Sequence, residues 1–335
     1  MTSSVPSKTQ SQQEPLSPVP PYKLSNNLSG LALALGQTAF LLIAAGLSCV
    51  TLVFCALINA ASCSCCRHRV PLIPTSILIT GATGGLGEEL SLQYARRLKS
   101  NVSLALTGRN AEALARVAEA CRAFGTHVRT KRVDVLAREE LAAWIKEVDV
   151  AAPLDLIIAN AGVTERTAGI PEDDIEGGTR ATFATNVDGV FNTVFPALPM
   201  LRERRRGQVA IISSLASYAA FSIFDGYSAS KAAVRVWSES LRHKLAREGV
   251  FVTCVCPGYI AGAMTAAFAG KVDLRGIASQ ASSAERIIEG LRNDEALIAF
   301  PASTFMLATM LGSLPFYTRD ALARSRLIKE IQYAA

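Results

Sequence analysis

The 335-residue sequence has no framework of regularly spaced cysteine pairs, no zinc-finger spacing, no RNA-binding aromatic motif and no internal repeat. Its eight cysteines are scattered. Cys49 and Cys55 lie in an apolar run, Cys63, Cys65 and Cys66 crowd just after it, and Cys121, Cys254 and Cys256 fall in globular-looking segments. This spacing argues against a disulfide-stapled fold. Cys63 and Cys66 have the spacing of a metal knuckle, but only His68 is near and no second pair follows, so no metal is expected. The net charge of +6 is spread along the chain, apart from Arg204-Arg205-Arg206 and the Arg67-His68-Arg69 cluster. That pattern reads as a solvated surface, and no nucleic-acid partner is expected.

A second absence is more informative: no charged residue occurs between Lys23 and Arg67. Residues 31–61 are dominated by Leu, Ala, Val, Ile and Phe. A bilayer span needs ~20 apolar residues, and a cleaved signal peptide would have a shorter apolar region and a more basic leader. A single transmembrane helix is therefore predicted over 31–61. Before it, the Ser-, Pro- and Gln-rich residues 1–30 read as a disordered tail. After it, 62–71 read as a juxtamembrane linker whose cysteines fit either S-palmitoylation or unmodified thiols. Arg67 and Arg69 outnumber Lys23, which places the C-terminal side in the cytosol.

From Pro71 the pattern becomes alternating strands and helices. Strands are predicted at 76–80, 102–107, 127–133, 154–159, 208–213, 251–256 and 296–300. Helices are predicted at 85–98, 111–124, 138–148, 173–204, 227–248 and 284–293. Strands this apolar are expected to be buried on both faces, as in a parallel sheet covered by helices. The expected fold is α/β, a Rossmann-type doubly wound parallel sheet of about seven strands filling a catalytic domain at 72–301.

The first strand runs into Thr80-Gly81-Ala82-Thr83-Gly84-Gly85-Leu86-Gly87, and a helix follows. Glycines let a backbone turn sharply and approach a pyrophosphate, which the free N–H groups of a helix N-terminus then bind. The second strand ends in Thr107-Gly108-Arg109, with no Asp or Glu to hold a ribose 2′-hydroxyl. A carboxylate would repel a 2′-phosphate and Arg109 would attract it, so NADP(H) is expected over NAD(H). Tyr227-Ser228-Ala229-Ser230-Lys231 puts a phenol and an ammonium on one helix face. Ser214 lies at the end of the fifth strand, and Asn186 lies on the preceding helical stretch.

The TGxxxGxG turn, the YxxxK pair, Ser214 and Asn186 together resemble the short-chain dehydrogenase/reductase family over about residues 75–300. The resemblance implies that Asp134 and Val135 contact the adenine. It also implies that Asn160, Ala161 and Gly162 stand in for an NNAG motif, with Ala159 replacing the first Asn. Pro257 and Gly258 match the family's turn beside the nicotinamide, but Gly262 stands where the family often has Thr, with Thr265 nearby. The resemblance makes Tyr227 the proton donor to a carbonyl oxygen, acidified by Lys231, which also holds the nicotinamide ribose. Ser214 would stabilise the substrate oxygen, and Asn186 would anchor a water that relays protons to Lys231.

Substrate contacts are expected from Ser214, Tyr227, Tyr259, Met264 and Phe268, a set without a cationic clamp. The apolar, then basic, tail 302–335 reads as a lid, a bilayer contact, or packing within the domain or a dimer. The expected activity is interconversion of a carbonyl and an alcohol on a lipophilic substrate: a sterol, retinoid, long-chain ketone or sphingoid base. The expected setting is the endoplasmic reticulum membrane. A homodimer is expected from the family's habit of pairing. The alternatives are an NAD-dependent alcohol dehydrogenase of the same fold and a catalytically idle membrane scaffold or nucleotide sensor. A nucleotide-sugar epimerase or dehydratase would need more chain after Phe300.

Overall fold

Six apolar runs and one basic run line up as a parallel sheet: β1 (Ser76–Thr80), β2 (Ser103–Gly108), β3 (His127–Arg132), β4 (Leu156–Ala159), β5 (Gly207–Ile212), β6 (Val250–Pro257) and β7 (Leu297–Phe300). The sheet order is β3-β2-β1-β4-β5-β6-β7. This is a computed structural model, and it describes residues 73–219, 224–266 and 277–324. The span predicted at 31–61, the tail 1–30 and the linker 62–71 lie outside the described residues. Among the described residues, no helix is long and apolar enough to cross a membrane.

Helices cover both sheet faces, as the alternation predicts. They are α1 (Gly85–Leu98), α2 (Ala111–Arg122), α3 (Arg138–Ala151), α4 (Ile175–Phe183), α5 (Gly189–Arg204), α6 (Asp225–Leu245), α7 (Gln280–Arg292), α8 (Ala302–Ser313) and α9 (Phe316–Arg324). Successive side chains of a strand point to opposite faces, and each face of β1 meets its own core. Leu78 packs with Leu141 and Ile145 of α3, Val194 and Leu201 of α5, and Val234 of α6. Ile77 and Ile79 pack with Leu90 and Tyr94 of α1, Val117 of α2, and Ile287 and Leu291 of α7. Fully burying one such aliphatic side chain contributes ~2 kcal/mol.

Three expectations need correction. β3 is not buried on both faces: His127, Arg129, Thr130 and Arg132 are exposed. It is the sheet's edge, and its cationic side chains discourage pairing with another chain. The helix predicted over 173–204 is helical without a gap from Ile175 to Arg204, but a π turn at Ala184–Asp188 divides it into α4 and α5. The helix predicted from Ala284 begins at Gln280, because the Ser279 hydroxyl accepts the Ser282 N–H and caps it.

The sheet's N-terminal edge is pinned by Asp155. Its buried carboxylate accepts hydrogen bonds from the backbone N–H groups of Thr75 and Ser76 and from the Thr75 hydroxyl, at 2.9–3.1 Å. Removing it strands these donors. Asp155→Ala is expected to cost about 3 kcal/mol of stability, read as a lowered urea midpoint with an unchanged slope. Cofactor binding at the opposite sheet edge should survive in the folded fraction. A midpoint equal to that of the wild-type protein would contradict this account.

Candidate functional site

Strand order reverses between β1 and β4, and a crevice opens there at the C-terminal ends of the strands, where α/β sheets bind ligands. A cavity of about 870 Å³ runs from the β1–α1 turn to the start of α6. Thr83, Gly84, Gly85 and Leu86 line it at the N-terminus of α1. Gly81 has φ +67°, and a Cβ there would come within 2.9 Å of the Ala161 Cα, so a side chain is excluded twice.

Two residues expected to bind the cofactor shape the crevice instead, since neither Thr80 nor Gly87 lines the cavity. The Thr80 hydroxyl accepts the N–H groups of Asn160 and Ala161, tying the end of β1 to the end of β4. Asn160 returns the tie by donating its amide to the Thr80 and Gly81 carbonyls. Gly87 lets α1 sit on this knot, because a Cβ there would collide with the Gly81 carbonyl oxygen.

At one end the cavity is lined by Gly108, Arg109, Asn110, Val133, Asp134 and Val135. Asn110 caps α2 by accepting the Ala113 N–H, and Asp134 accepts the Leu136 N–H to shape the turn after β3. Arg132 reaches across from β3 and donates to the Arg109 carbonyl at 3.1 Å. Neither Arg109 nor Arg132 forms an ion pair among the described residues. Of the two only Arg109 lines the cavity, beside Asp134, and its guanidinium can receive a phosphate there.

At the other end Ser214, Tyr227 and Lys231 line one wall. The Ser214 hydroxyl accepts the Ala216 N–H. The adjacent Ser213 donates to the Lys231 carbonyl at 2.8 Å and so holds α6 against β5. The Lys231 Nζ is buried, donates to the Ile212 carbonyl at 2.9 Å and lies 5.8 Å from the centre of the Tyr227 ring. Burial lowers its pKa to about 8, since an ammonium loses hydration there.

The same burial raises the pKa of Tyr227 to about 12. The hydrogen bond with Ser214 pulls it back down, and the Glu165 carboxylate adds to the rise. Burial therefore outweighs the hydrogen bond that lowers it.

Asn186 is fully buried and does not line the cavity, whereas its neighbour Thr185 does. Its amide accepts the Val163 N–H at 2.8 Å and donates to the Val163 carbonyl and the Ser230 hydroxyl, each at 2.9 Å. The side chain thus staples the loop after β4 to α6. Gly162 sits beside this staple, and a Cβ there would lie 3.1 Å from both Asn186 Oδ1 and Lys231 Nζ.

Pro257, Gly258, Tyr259 and Met264 line the cavity as expected, and Phe268 lies outside the described residues. Thr265, buried in the cavity wall, donates its hydroxyl to the Ile260 carbonyl and keeps an oxygen available as an acceptor where Gly262 has none. Sequence reasoning missed Val163, Leu215, Phe224, Ile260, Thr304 and Ala308, which close the apolar end. Thr304 and Ala308 come from α8, which docks through Phe305, edge-on to Tyr218 at 5.3 Å. Glu165 was also missed. It accepts the Tyr227 backbone N–H from 62 residues upstream, a separation that carries no local pattern.

The profile of the short chain dehydrogenase family matches residues 75–272. An uncharacterized oxidoreductase of Myxococcus xanthus is 33% identical over 250 residues, covering 74% of this chain and 95% of that protein. The 11-beta-hydroxysteroid dehydrogenase 1A of Arabidopsis thaliana is 35% identical over 191 residues, covering 56% of this chain and about half of that protein (53%). A short-chain dehydrogenase from Sphingobium yanoikuyae in complex with NADPH superposes with a TM-score of 0.62 at 23% identity, covering 78% of this chain and 98% of that one. A 3-oxoacyl-acyl-carrier-protein reductase of Brucella melitensis with bound NAD gives 0.59 at 22% identity, covering 67% and 87%. At those identities the two structures share the fold. With its glycine-turned crevice and its Ser, Tyr and Lys on one wall, the chain belongs to the short chain dehydrogenase family and is an NAD(P)-dependent oxidoreductase.

Proposed function

We propose that this protein is an NADPH-preferring reductase of lipophilic carbonyls, held at a membrane. The observation that carries this reading is the composition of the one cavity that joins the glycine turn to Tyr227. Among its described lining residues only Arg109, Asp134 and Lys231 are charged. Arg109 and Asp134 lie at the end away from Tyr227, and Lys231 is bonded to the Ile212 carbonyl. The substrate end, with Val163, Leu215, Phe224, Ile260, Met264 and Ala308, has no cation for an acid or a phosphate. Burying an apolar ligand there is favourable, and burying an ionic one is costly.

The crevice fits a dinucleotide, because side chains at Gly81 and Gly162 would fill the space between the strand ends and Lys231. When bound, the nicotinamide ring contributes hydride transfer to or from the substrate carbon. The chain's own residues handle the proton. Tyr227 holds it on its phenol at neutral pH and delivers it to the carbonyl oxygen, while the Ser214 hydroxyl stabilises charge developing there. Lys231, as an ammonium, steadies the phenolate left behind, and Asn186 keeps the loop and helix around it in register. We further propose that residues 31–61 span the endoplasmic reticulum membrane once, with the catalytic domain in the cytosol. The exposed Met306, Leu307 and Met310 of α8 suit a bilayer surface. Pairing of two copies is part of the same reading.

The decisive experiment follows NADPH absorbance with detergent-solubilised protein against a panel of long-chain ketones, sterones and retinals. Turnover should be abolished in Tyr227→Phe, and activity confined to small polar carbonyls would overturn the substrate class. Arg109→Ala should weaken NADPH binding about 10–100-fold and leave NADH within about twofold, because only one of them carries a 2′-phosphate. An equal loss for both cofactors would remove Arg109 from that role. Reductive kcat/KM should be level in acid and fall as pH rises through about 8. Lys231 loses its proton there, while Tyr227 keeps its own until about 12. A profile flat to pH 10 would contradict this assignment.

A further inference from the structure

Helix α6 carries Tyr227 in its first turn, where backbone N–H groups lack helical partners. The residue at its cap position is Phe224, which offers no side-chain acceptor. Ser228 N–H reaches the Phe224 carbonyl, and Gly226 N–H reaches the Asp225 carboxylate. The N–H of Tyr227 itself goes to Glu165 Oε1, at 2.7 Å. The sequence makes room for this bond, since a Cβ at Gly226 would lie 3.2 Å from that oxygen and 2.8 Å from the Thr179 Cα of α4. The second oxygen, Oε2, is buried with no hydrogen-bond partner, and no ion pair neutralises Glu165 among the described residues.

We infer that Glu165 is a positioning residue for the reaction, a remote cap that fixes the start of α6 and sets the charge facing the Tyr227 phenol. The inference rests on Tyr227 as the proton donor. A carboxylate near the helix N-terminus is favourable by itself. Its proximity also disfavours a phenolate, so it keeps the donor protonated. The other groups facing Tyr227 are Ser214, Tyr259 and Cys256, with Lys231 and Asp225 on its own helix. Near Glu165, Arg166 pairs with Glu172 on the same loop, and Arg180 pairs with Glu176 on α4. Glu165 is thus the carboxylate bonded directly to the Tyr227 backbone.

The test compares full-length wild-type protein with Glu165→Gln and Glu165→Ala, using NADPH fluorescence titration to verify folding and steady-state rates across pH. Glu165→Ala should lose about tenfold in kcat, with KM for NADPH within about twofold. Glu165→Gln keeps an acceptor and should recover most of that loss at neutral pH. Its rise of alcohol-oxidation rate with pH should move to lower pH by about half a unit or more, because the charge opposing the phenolate is gone. An unaltered pH profile in Glu165→Gln, or wild-type kcat in Glu165→Ala, would overturn the inference. If Glu165→Ala does not bind NADPH, the Glu165→Gln profile decides alone. Activity retained by Tyr227→Phe would instead defeat the underlying reading, so the two failures are distinguishable.

Discussion

The site depends on one knot of hydrogen bonds between the ends of β1 and β4. Thr80 accepts two backbone N–H groups from Asn160 and Ala161, and Asn160 gives its amide back to the β1 turn. At this point the strand order reverses, so neighbouring loops diverge and leave a gap. Without the knot the gap would have no fixed width. With it, the glycine turn, the N-terminus of α1 and the Gly162 loop form one continuous lining of the crevice. The next staple, from Asn186 to Val163 and Ser230, carries that order on to α6 and the reacting groups. Positioning of this kind is a large part of what a catalytic site supplies.

Burial serves the two titrating groups differently. The cavity that excludes water from Lys231 brings its pKa down toward neutrality and pushes that of Tyr227 up. Each shift follows from the cost of carrying charge where solvent is thin. The result is a phenol that keeps its proton and an ammonium that holds its own with less tenacity.

Much of this was legible in the sequence because it is local. A strand, a glycine turn and a helix occupy consecutive residues, and the i, i+4 spacing of Tyr227 and Lys231 puts both on one helix face. Roles within a motif were less legible. Thr80 and Gly87 belong to the same turn as Gly81 and Gly85, yet they build the wall and do not line it. The π turn around Asn186 was read as plain helix; its side-chain partners, Val163 and Ser230, lie on other segments. The exposed β3 was read as buried, because its edge position is a property of strand order. Glu165 left no sequence signal, as it meets the site only after distant segments fold together, whereas Thr304 and Ala308 fall in the apolar tail for which a lid was one reading.

Helix α8 has two neighbours at once. Thr304 and Ala308 form part of the chamber's inner lining, while Met306, Leu307 and Met310 face outward with no protein cover among the described residues. The partition between the reaction chamber and its surroundings is therefore a single helix thick.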